Sequence, residues 1–348
     1  MAVQECRMVR HQNNFNLLRL AAAIQVVIVH SVNHLGVGQT PLDIIKIVPG
    51  VPIFYCISGY LIRRSYARLR DSGDLLFLRN RIFRIYPGLF ACFIFSIVAT
   101  YYSGYFNTIE ISSASFITWT VAQLSFVQFY NPDFMRGFGV GVLNGSLWTI
   151  TVELQFYVLT PFLFWLFHQR RAWFGFVAIA SVIANCYLRI FHEDGLFFQK
   201  LLGVSFLPWL YMYLLGFVLS DATTLIRGIK RTWWLLLVLA FLVCQLTLGD
   251  LRLNASNAIH PVSFLCLALI VLWLAENSLL ELSFLGEFIR KNDLSYGLYL
   301  YHMPIINIII YLGWMTATAG LLFVVVFSAV LAVLSWYAIE QPFLRRKK

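Results

Sequence analysis

Runs of apolar residues, nearly as long as a bilayer is thick, recur along the whole chain. A membrane-crossing helix needs roughly 20 apolar residues, because its backbone rises about 1.5 Å per residue across about 30 Å of hydrocarbon. Hydrophobic residues fill 60% of the 348 positions and charged residues 12%, against about 25% charge in a soluble domain. These features exclude a soluble enzyme, a disulfide scaffold and a disordered chain, and argue against an outer-membrane barrel. The sequence predicts an all-α polytopic integral membrane protein.

Ten segments are predicted to cross the membrane. They are residues 17–36, 48–62, 85–103, 146–167, 172–191, 202–220, 233–248, 259–275, 294–313 and 318–338. Residues 112–130 are also apolar, but they are rich in Ser, Thr and Gln, which predicts a re-entrant or interfacial segment packed against protein. We expect residues 1–348 to form a single transmembrane domain without a separate soluble domain.

The basic residues predict the orientation of these spans. With ten spans and a cytoplasmic N-terminus, 21 of the 26 Lys and Arg residues fall on the cytoplasmic side. Cytoplasmic loops of membrane proteins are enriched in Lys and Arg, so both termini are predicted to be cytoplasmic. A full span at 112–130 would invert every later segment and destroy the asymmetry. The same rule explains the formal charge of +10, and no nucleic-acid partner is predicted.

Cysteine and histidine spacing predicts no metal site. Five of the six cysteines lie in apolar runs, Cys6 being the exception, and none forms a CxxC pair. We therefore expect buried core cysteines. His30 and His34 have the spacing of a zinc pair, but no third ligand with matching geometry is apparent.

Ionisable residues inside the predicted spans are the candidate functional groups, because a buried charge in a bilayer is costly. Glu153 is the one acidic residue deep in a predicted span, and His30 and His302 are the deep histidines. Glu153 and His30 lie at the same predicted depth, about 10 Å from the outer surface. This predicts a proton-transfer pair in which the carboxylate orients the imidazole. A purely structural Glu–His hydrogen bond is the alternative.

Arginines at the predicted cytoplasmic side form a second candidate group. Arg19 precedes His30 by eleven positions, which places both on one helix face about 16 Å apart. Arg81 and Arg84 lie one turn apart at the start of the third span, and two guanidinium groups suit phosphate oxygens. They indicate a phosphate-bearing cytosolic ligand. The alternative is that these arginines only orient the protein in the membrane, as cytoplasmic basic residues ordinarily do.

The chain resembles membrane acyltransferase family 3 over nearly its whole length. The stretches that carry the resemblance are Arg19 followed by ten residues and His30, FYCISGYLI (54–62), RIFRIYP (81–87), SLWTITVELQFY (146–157), SYGLYLYH (295–302) and IEQPF (339–343). Asn16 and Pro52 stand where many members have Asp. The resemblance implies ten transmembrane helices in the inner membrane. It also implies transfer of an acyl group, usually acetyl from cytosolic acetyl-CoA, to a sugar hydroxyl of O-antigen or exopolysaccharide, lipid-linked or exported.

Carried over to this chain, the resemblance implies roles for individual residues. Arg19, Arg81 and Arg84 would bind the phosphates of acetyl-CoA, the acyl donor, and no metal is expected. His30 would act as general base or as acyl carrier, two routes that the sequence leaves open, and Glu153 would orient it.

Four further residues are candidates for contact with the acceptor. Trp148 and Tyr157 would offer ring faces to a sugar, with lipid contact as the alternative. Ser58 would supply a hydroxyl or, with Gly59, a small-residue helix contact. Pro304 has no N–H, so it leaves the carbonyl of Leu300 without its helical hydrogen bond. The His302 ring is expected to donate to that carbonyl and to have a secondary role in substrate contact.

A proton-coupled secondary transporter is the competing function, because buried Glu and His residues also suit a carrier. The sequence shows no internal repeat of the kind that such transporters contain.

Overall fold

The computed structural model describes residues 13–38, 41–191, 196–248, 257, 259–277 and 284–346. Cys6, both chain termini and the basic residues Arg7, Arg10, Arg252, Lys347 and Lys348 lie outside this part. Within it, all regular secondary structure is helical. The helices are α1 (Phe15–Leu35), α2 (Gly50–Leu69), α3 (Asp74–Tyr102), α4 (Ser113–Gln123), α5 (Trp148–Gln169), α6 (Arg171–Phe191), α7 (Phe197–Gly203), α8 (Leu210–Leu219), α9 (Thr223–Gly228), α10 (Arg231–Thr247), α11 (Pro261–Glu276), α12 (Phe284–Lys291), α13 (Ser295–Leu312), α14 (Ala317–Ser335) and α15 (Gln341–Arg345).

The apolar helices confirm a helical membrane protein. In the described residues, six helical segments are long and apolar enough to cross a membrane: Phe15–Leu35, Ile44–Ser72, Asp74–Tyr102, Gly145–Gln169, Arg171–Phe191 and Ala317–Arg345. Three shorter apolar helices, α8, α10 and α11, and the buried α13 overlap the other predicted spans. Ten crossings stay a prediction, because these shorter helices fall below the roughly 20 residues of an untilted span.

The segment 112–130 forms a short helix that packs on the protein. At eleven residues, α4 is about 16 Å long, half the thickness of the hydrocarbon core. Trp119 and Gln123 on one side are buried, whereas Ile117 and Val121 are exposed. The Gln123 amide donates to the carbonyl of Gln128 at 3.1 Å, which fixes the chain after the helix. The predicted packing of this segment against protein is confirmed, whereas its not crossing the bilayer stays a prediction.

The buried helix α13 lies at the centre of the bundle and packs against α1, α3 and α14. Arg19 of α1 contacts Asp293 just before α13, and His30 contacts His302. The earlier residue of α1 contacts the start of α13 and the later residue contacts a later one, so α1 and α13 run side by side in the same direction. This pair of helices joins a charged end of the bundle to two histidines deeper inside.

The closest helix crossing in the bundle joins α2 to α8. A Cβ atom on Gly59 would lie 1.9 Å from the carbonyl oxygen of Tyr213, and one on Gly216 would lie 2.0 Å from that of Cys56. Such distances leave room for glycine alone, so the two backbones touch. The small-residue packing expected at Gly59 is confirmed.

Candidate active site

A cluster of buried ion pairs occupies one end of the bundle, and we call it the charged end: Arg19, Arg84, Asp293 and Glu340. The carboxylate of Asp293 accepts hydrogen bonds from both Arg19 and Arg84. Arg84 also contacts Glu340 at 3.5 Å, and both carboxylates are buried. Two cations thus face two anions, and the cluster carries no net formal charge.

Asp293 is the centre of the charged end, and the sequence analysis missed it. It lies in the short connection between α12 and α13, where the Ser295 hydroxyl donates to its second oxygen. Burial alone would raise the pKa of Asp293, but Arg19, Arg84 and Ser295 outweigh burial and hold the pKa below its ordinary value. Arg19 and Arg84, both predicted phosphate ligands, are therefore bound to a carboxylate in this structure.

Arg81 differs from the other two predicted phosphate ligands. It donates to the Ser65 hydroxyl at 2.9 Å, and its guanidinium carbon lies 5.5 Å from the ring centroid of Phe77. Among the described residues no carboxylate lies within ion-pair distance of it, and only its Nη2 is hydrogen-bonded, which leaves Nη1 without a partner. Arg81 therefore retains donors for a further anion.

A cleft leads from the charged end into the bundle between α1, α2, α5 and α13. Its empty volume is about 380 Å³, part of it open to solvent. The polar and aromatic residues along it include Arg19, Phe54, Thr149, Glu153, Ser295 and Tyr299. The Tyr299 hydroxyl is 2.6 Å from that of Thr149, which fixes the ring at the deep end of the cleft.

Glu153 lies in this cleft, but its partners are not those expected. Its Oε1 accepts hydrogen bonds from Tyr157 and, at 3.2 Å, from Ser58. The predicted direct pairing of Glu153 with His30 is wrong. Equal depth fixes the position of a residue along its helix and not the face that it occupies: α5 presents Glu153 to α2, whereas α1 presents His30 to α13.

The two deep histidines are bonded to each other. His30 Nδ1 lies 2.9 Å from His302 Nε2, and His302 Nδ1 lies 2.7 Å from the carbonyl oxygen of Tyr299. His302 is fully buried, whereas His30 is half-buried beside the exposed ring of His34, 5.7 Å away between centroids. The Tyr299 ring lies 5.7 Å from that of His302, so the histidine pair adjoins the deep end of the cleft.

The expectation that His302 satisfies the carbonyl of Leu300 is corrected. Pro304 does leave that carbonyl free, but the Asn144 amide donates to it at 2.9 Å and the Cys92 thiol at 3.3 Å. The loop before α5 thus supplies the missing donor, and the imidazole of His302 is available to His30.

The two aromatic residues predicted to contact a sugar lie away from the cleft surface. Trp148 packs on Trp209, with 5.3 Å between the ring centroids. The Tyr157 ring is 4% exposed and its hydroxyl is bound to Glu153, so it offers no open ring face. Phe54, Tyr55 and Tyr299 supply the aromatic lining instead.

Comparisons with known proteins match nearly the whole length of the chain. A family model described as an acyltransferase domain matches residues 12–340. Nodulation protein 10 of Rhizobium leguminosarum bv. viciae is 33% identical over 351 residues, covering 95% of this chain and 93% of the relative. An O-acetyl transferase of Shigella phage Sf6 is 25% identical over 348 residues, 97% of both chains. No solved structure matches.

Proposed function

Because this chain belongs to membrane acyltransferase family 3 and is an acyltransferase, we propose that it transfers acetyl from cytosolic acetyl-CoA to a sugar hydroxyl of a bacterial surface polysaccharide. The acceptor would be O-antigen or exopolysaccharide, lipid-linked or exported. One observation carries the proposal: a pair of histidines adjoins the deep end of a cleft whose other end is lined by Arg19 of the charged end. An acetyl-CoA bound at the charged end could then extend its thioester through the cleft to the histidine pair.

The donor enters at the charged end. The unoccupied Nη1 of Arg81 favours this residue as the first contact for the phosphates of acetyl-CoA. Arg19 and Arg84 join it only by exchanging Asp293 for phosphate, which keeps their charges neutralised in either state. The thioester arm would lie in the cleft, past Glu153, and reach the ring of Tyr299.

His30 performs the chemistry. Its nitrogen takes the proton of the acceptor hydroxyl as the hydroxyl oxygen attacks the thioester carbonyl. The carbon–sulfur bond breaks, and the departing sulfur receives that proton as free CoA thiol. If His30 carries the acetyl group instead, the nitrogen–carbon bond forms first and the thiolate leaves. The hydroxyl then attacks the acetyl-imidazole, and the overall balance is the same.

The reaction needs a defined orientation in the inner membrane. We place the charged end at the cytoplasmic face, with ten crossings and both termini cytoplasmic, because this arrangement puts 21 of 26 basic residues inside. A reporter fused after Arg171 should be cytoplasmic and one fused after Tyr130 extracytoplasmic. A cytoplasmic reporter at Tyr130 would contradict this topology.

The test is transfer of label from radioactive acetyl-CoA by purified protein in lipid vesicles with a membrane glycan fraction. The wild type should label glycan and release CoA thiol, whereas His30→Ala should do neither. His34→Ala, one helical turn away and exposed, is the matched control and should stay active. A secondary transporter would release no thiol, and full activity of His30→Ala would overturn the mechanism.

A further inference from the structure

Three groups on α1 and α13 form an unbroken line of hydrogen bonds. The line runs from the Tyr299 carbonyl oxygen to His302 Nδ1 at 2.7 Å, and from His302 Nε2 to His30 Nδ1 at 2.9 Å. Among the described residues, His30 Nε2 has no hydrogen-bond partner. The line therefore starts at an atom that can only accept and ends at an open nitrogen.

The direction of each hydrogen bond follows from the first atom. A carbonyl oxygen has no proton to donate, so His302 Nδ1 carries the hydrogen. His302 is completely buried, and no carboxylate of the described chain is hydrogen-bonded to either ring, so nothing compensates an imidazolium there. The ring is therefore neutral, and its Nε2 carries a lone pair.

The tautomer of His30 is fixed by the same logic. Because His302 Nε2 can only accept, His30 Nδ1 must donate, and the lone pair of His30 lies on Nε2. We propose that His302 is a positioning residue that holds His30 in the Nδ1–H tautomer, so that Nε2 is the nitrogen that takes the proton or the acetyl group. This inference rests on the proposed function for its catalytic meaning.

The arrangement also holds the ring still during the reaction. When Nε2 gains a proton, Nδ1–H continues to donate to His302 Nε2, and no hydrogen bond in the line has to break. The hydrogen bond that one ring nitrogen of a histidine makes sets which of the two nitrogens carries the proton. Here the partner is a second neutral imidazole anchored to a backbone carbonyl, and Glu153 makes its hydrogen bonds elsewhere.

The first experiment reads the tautomer directly. Nitrogen-15 spectra of histidine-labelled protein in lipid bilayers distinguish protonated from unprotonated ring nitrogens, and the His30→Gln variant identifies the His30 signals by their loss. We expect a protonated Nδ1 and an unprotonated Nε2 on His30 in the wild type. In His302→Phe, the Nε2–H form should appear. An Nε2–H His30 in the wild type would overturn the inference.

The second experiment separates positioning from folding. His302→Phe should lower kcat about 10- to 100-fold, the size of effect known for losing the partner behind a metal-bound histidine, while KM for acetyl-CoA stays within about twofold. His302→Gln should recover part of kcat, because its amide oxygen can accept from His30 Nδ1–H. His34→Gln is the control and should match the wild type. Unchanged kcat in His302→Phe would contradict positioning, and should that variant fail to fold, His302→Gln and the wild-type spectrum still decide.

The two experiments fail in distinguishable ways. The spectrum does not depend on catalysis, so an Nδ1–H His30 in a protein that transfers no acetyl would overturn the proposed function alone. An Nε2–H His30 in an active enzyme would overturn the positioning role alone.

Discussion

The charged end and the histidine pair both join α1 to α13, yet they are built in opposite ways. At the charged end, Asp293 accepts from Arg19 and Arg84, and Arg84 also faces Glu340, so ionised groups neutralise one another. The histidine pair contains two neutral rings on a carbonyl, and one nitrogen is left over. A closed electrostatic network stabilises the fold, whereas a line of hydrogen bonds with an open end can react. Ionisable residues are buried in both regions, so burial alone does not tell a stabilising cluster from a reactive one.

The largest expected effect is loss of activity at the histidine pair without loss of stability. His30→Gln can still donate to His302 Nε2, but an amide has no basic nitrogen. Acyl transfer should fall about 100- to 10,000-fold, the range for a general acid–base group, while the unfolding midpoint barely moves. Transfer rates and unfolding curves at matched protein amounts check this. Substantial activity of His30→Gln would show that His30 is only a structural hydrogen-bonding residue. The histidine pair would then not differ in function from the charged end.

The charged end should show the reverse pattern. Arg84→Ala leaves Glu340 without its arginine and Asp293 with only Arg19. Removing one partner of a buried ion pair costs about 3–5 kcal/mol, to be measured by denaturant unfolding in detergent. Arg79→Ala, on the exposed side of the same helix, is the control and should lose less than about 1 kcal/mol. Equal losses in the two variants would show that the ion pairs do not stabilise the fold.

Arg81 belongs neither to the charged end nor to the histidine pair, and its expected role is in binding the donor. Because it has donors to spare, Arg81→Ala should weaken acetyl-CoA binding by about 1.5–3 kcal/mol, the value of a hydrogen bond to a charged group, and destabilise the fold less than Arg84→Ala. Binding titrations in detergent measure this against Arg68→Ala, which removes an equal charge from an exposed position. Identical affinities would remove Arg81 from the donor site.

The smallest effect is expected at Glu153. In Glu153→Gln the amide oxygen still accepts from Tyr157 or Ser58, so the free energy of unfolding should change by less than about 1 kcal/mol. Glu153→Leu leaves both hydroxyls without an acceptor and should lower the free energy of unfolding by about 1–3 kcal/mol. Transfer by Glu153→Gln should exceed that by His30→Gln. A Gln variant as damaged as the Leu variant would mean that the charge itself holds this wall of the cleft.

The helices of this protein were largely readable from its sequence, because apolar runs report directly on burial in a bilayer. Each of the ten predicted spans overlaps an apolar helix, and residues 112–130, which are rich in Ser, Thr and Gln, form only a short one. The limit appears at α8, where ten helical residues replace a predicted span of nineteen. The last residues of α7 and the turn residues 204–209 occupy most of the remainder, and hydropathy does not report on turns.

The site was readable only in part. The motifs located His30, His302 and the arginines, but His302 was expected to contact Leu300, and Glu153 was expected to contact His30. Both errors arise because sequence position fixes depth along a helix and leaves open which neighbour the residue faces. Asp293 escaped notice because it lies one residue outside a predicted span, where an acidic residue is ordinarily solvated. Only packing reveals that it meets Arg19, 274 positions away.

The glycine crossing of α2 and α8 determines how the bundle can move. Where two backbones touch, no layer of side chains can rearrange between them, so α2 and α8 move as one rigid body. A second rigid body is formed by α1 and α13, which are fastened at Arg19–Asp293 and again at His30–His302. The cleft lies between these two bodies, with Phe54 and Tyr55 on one wall and Tyr299 on the other. The two bodies touch at one end, where a Cβ on Gly50 of α2 would lie 2.4 Å from the carbonyl oxygen of Ala22 in α1. An opening that admits a substrate is therefore a rotation of one body against the other about this contact, and His30 moves together with His302.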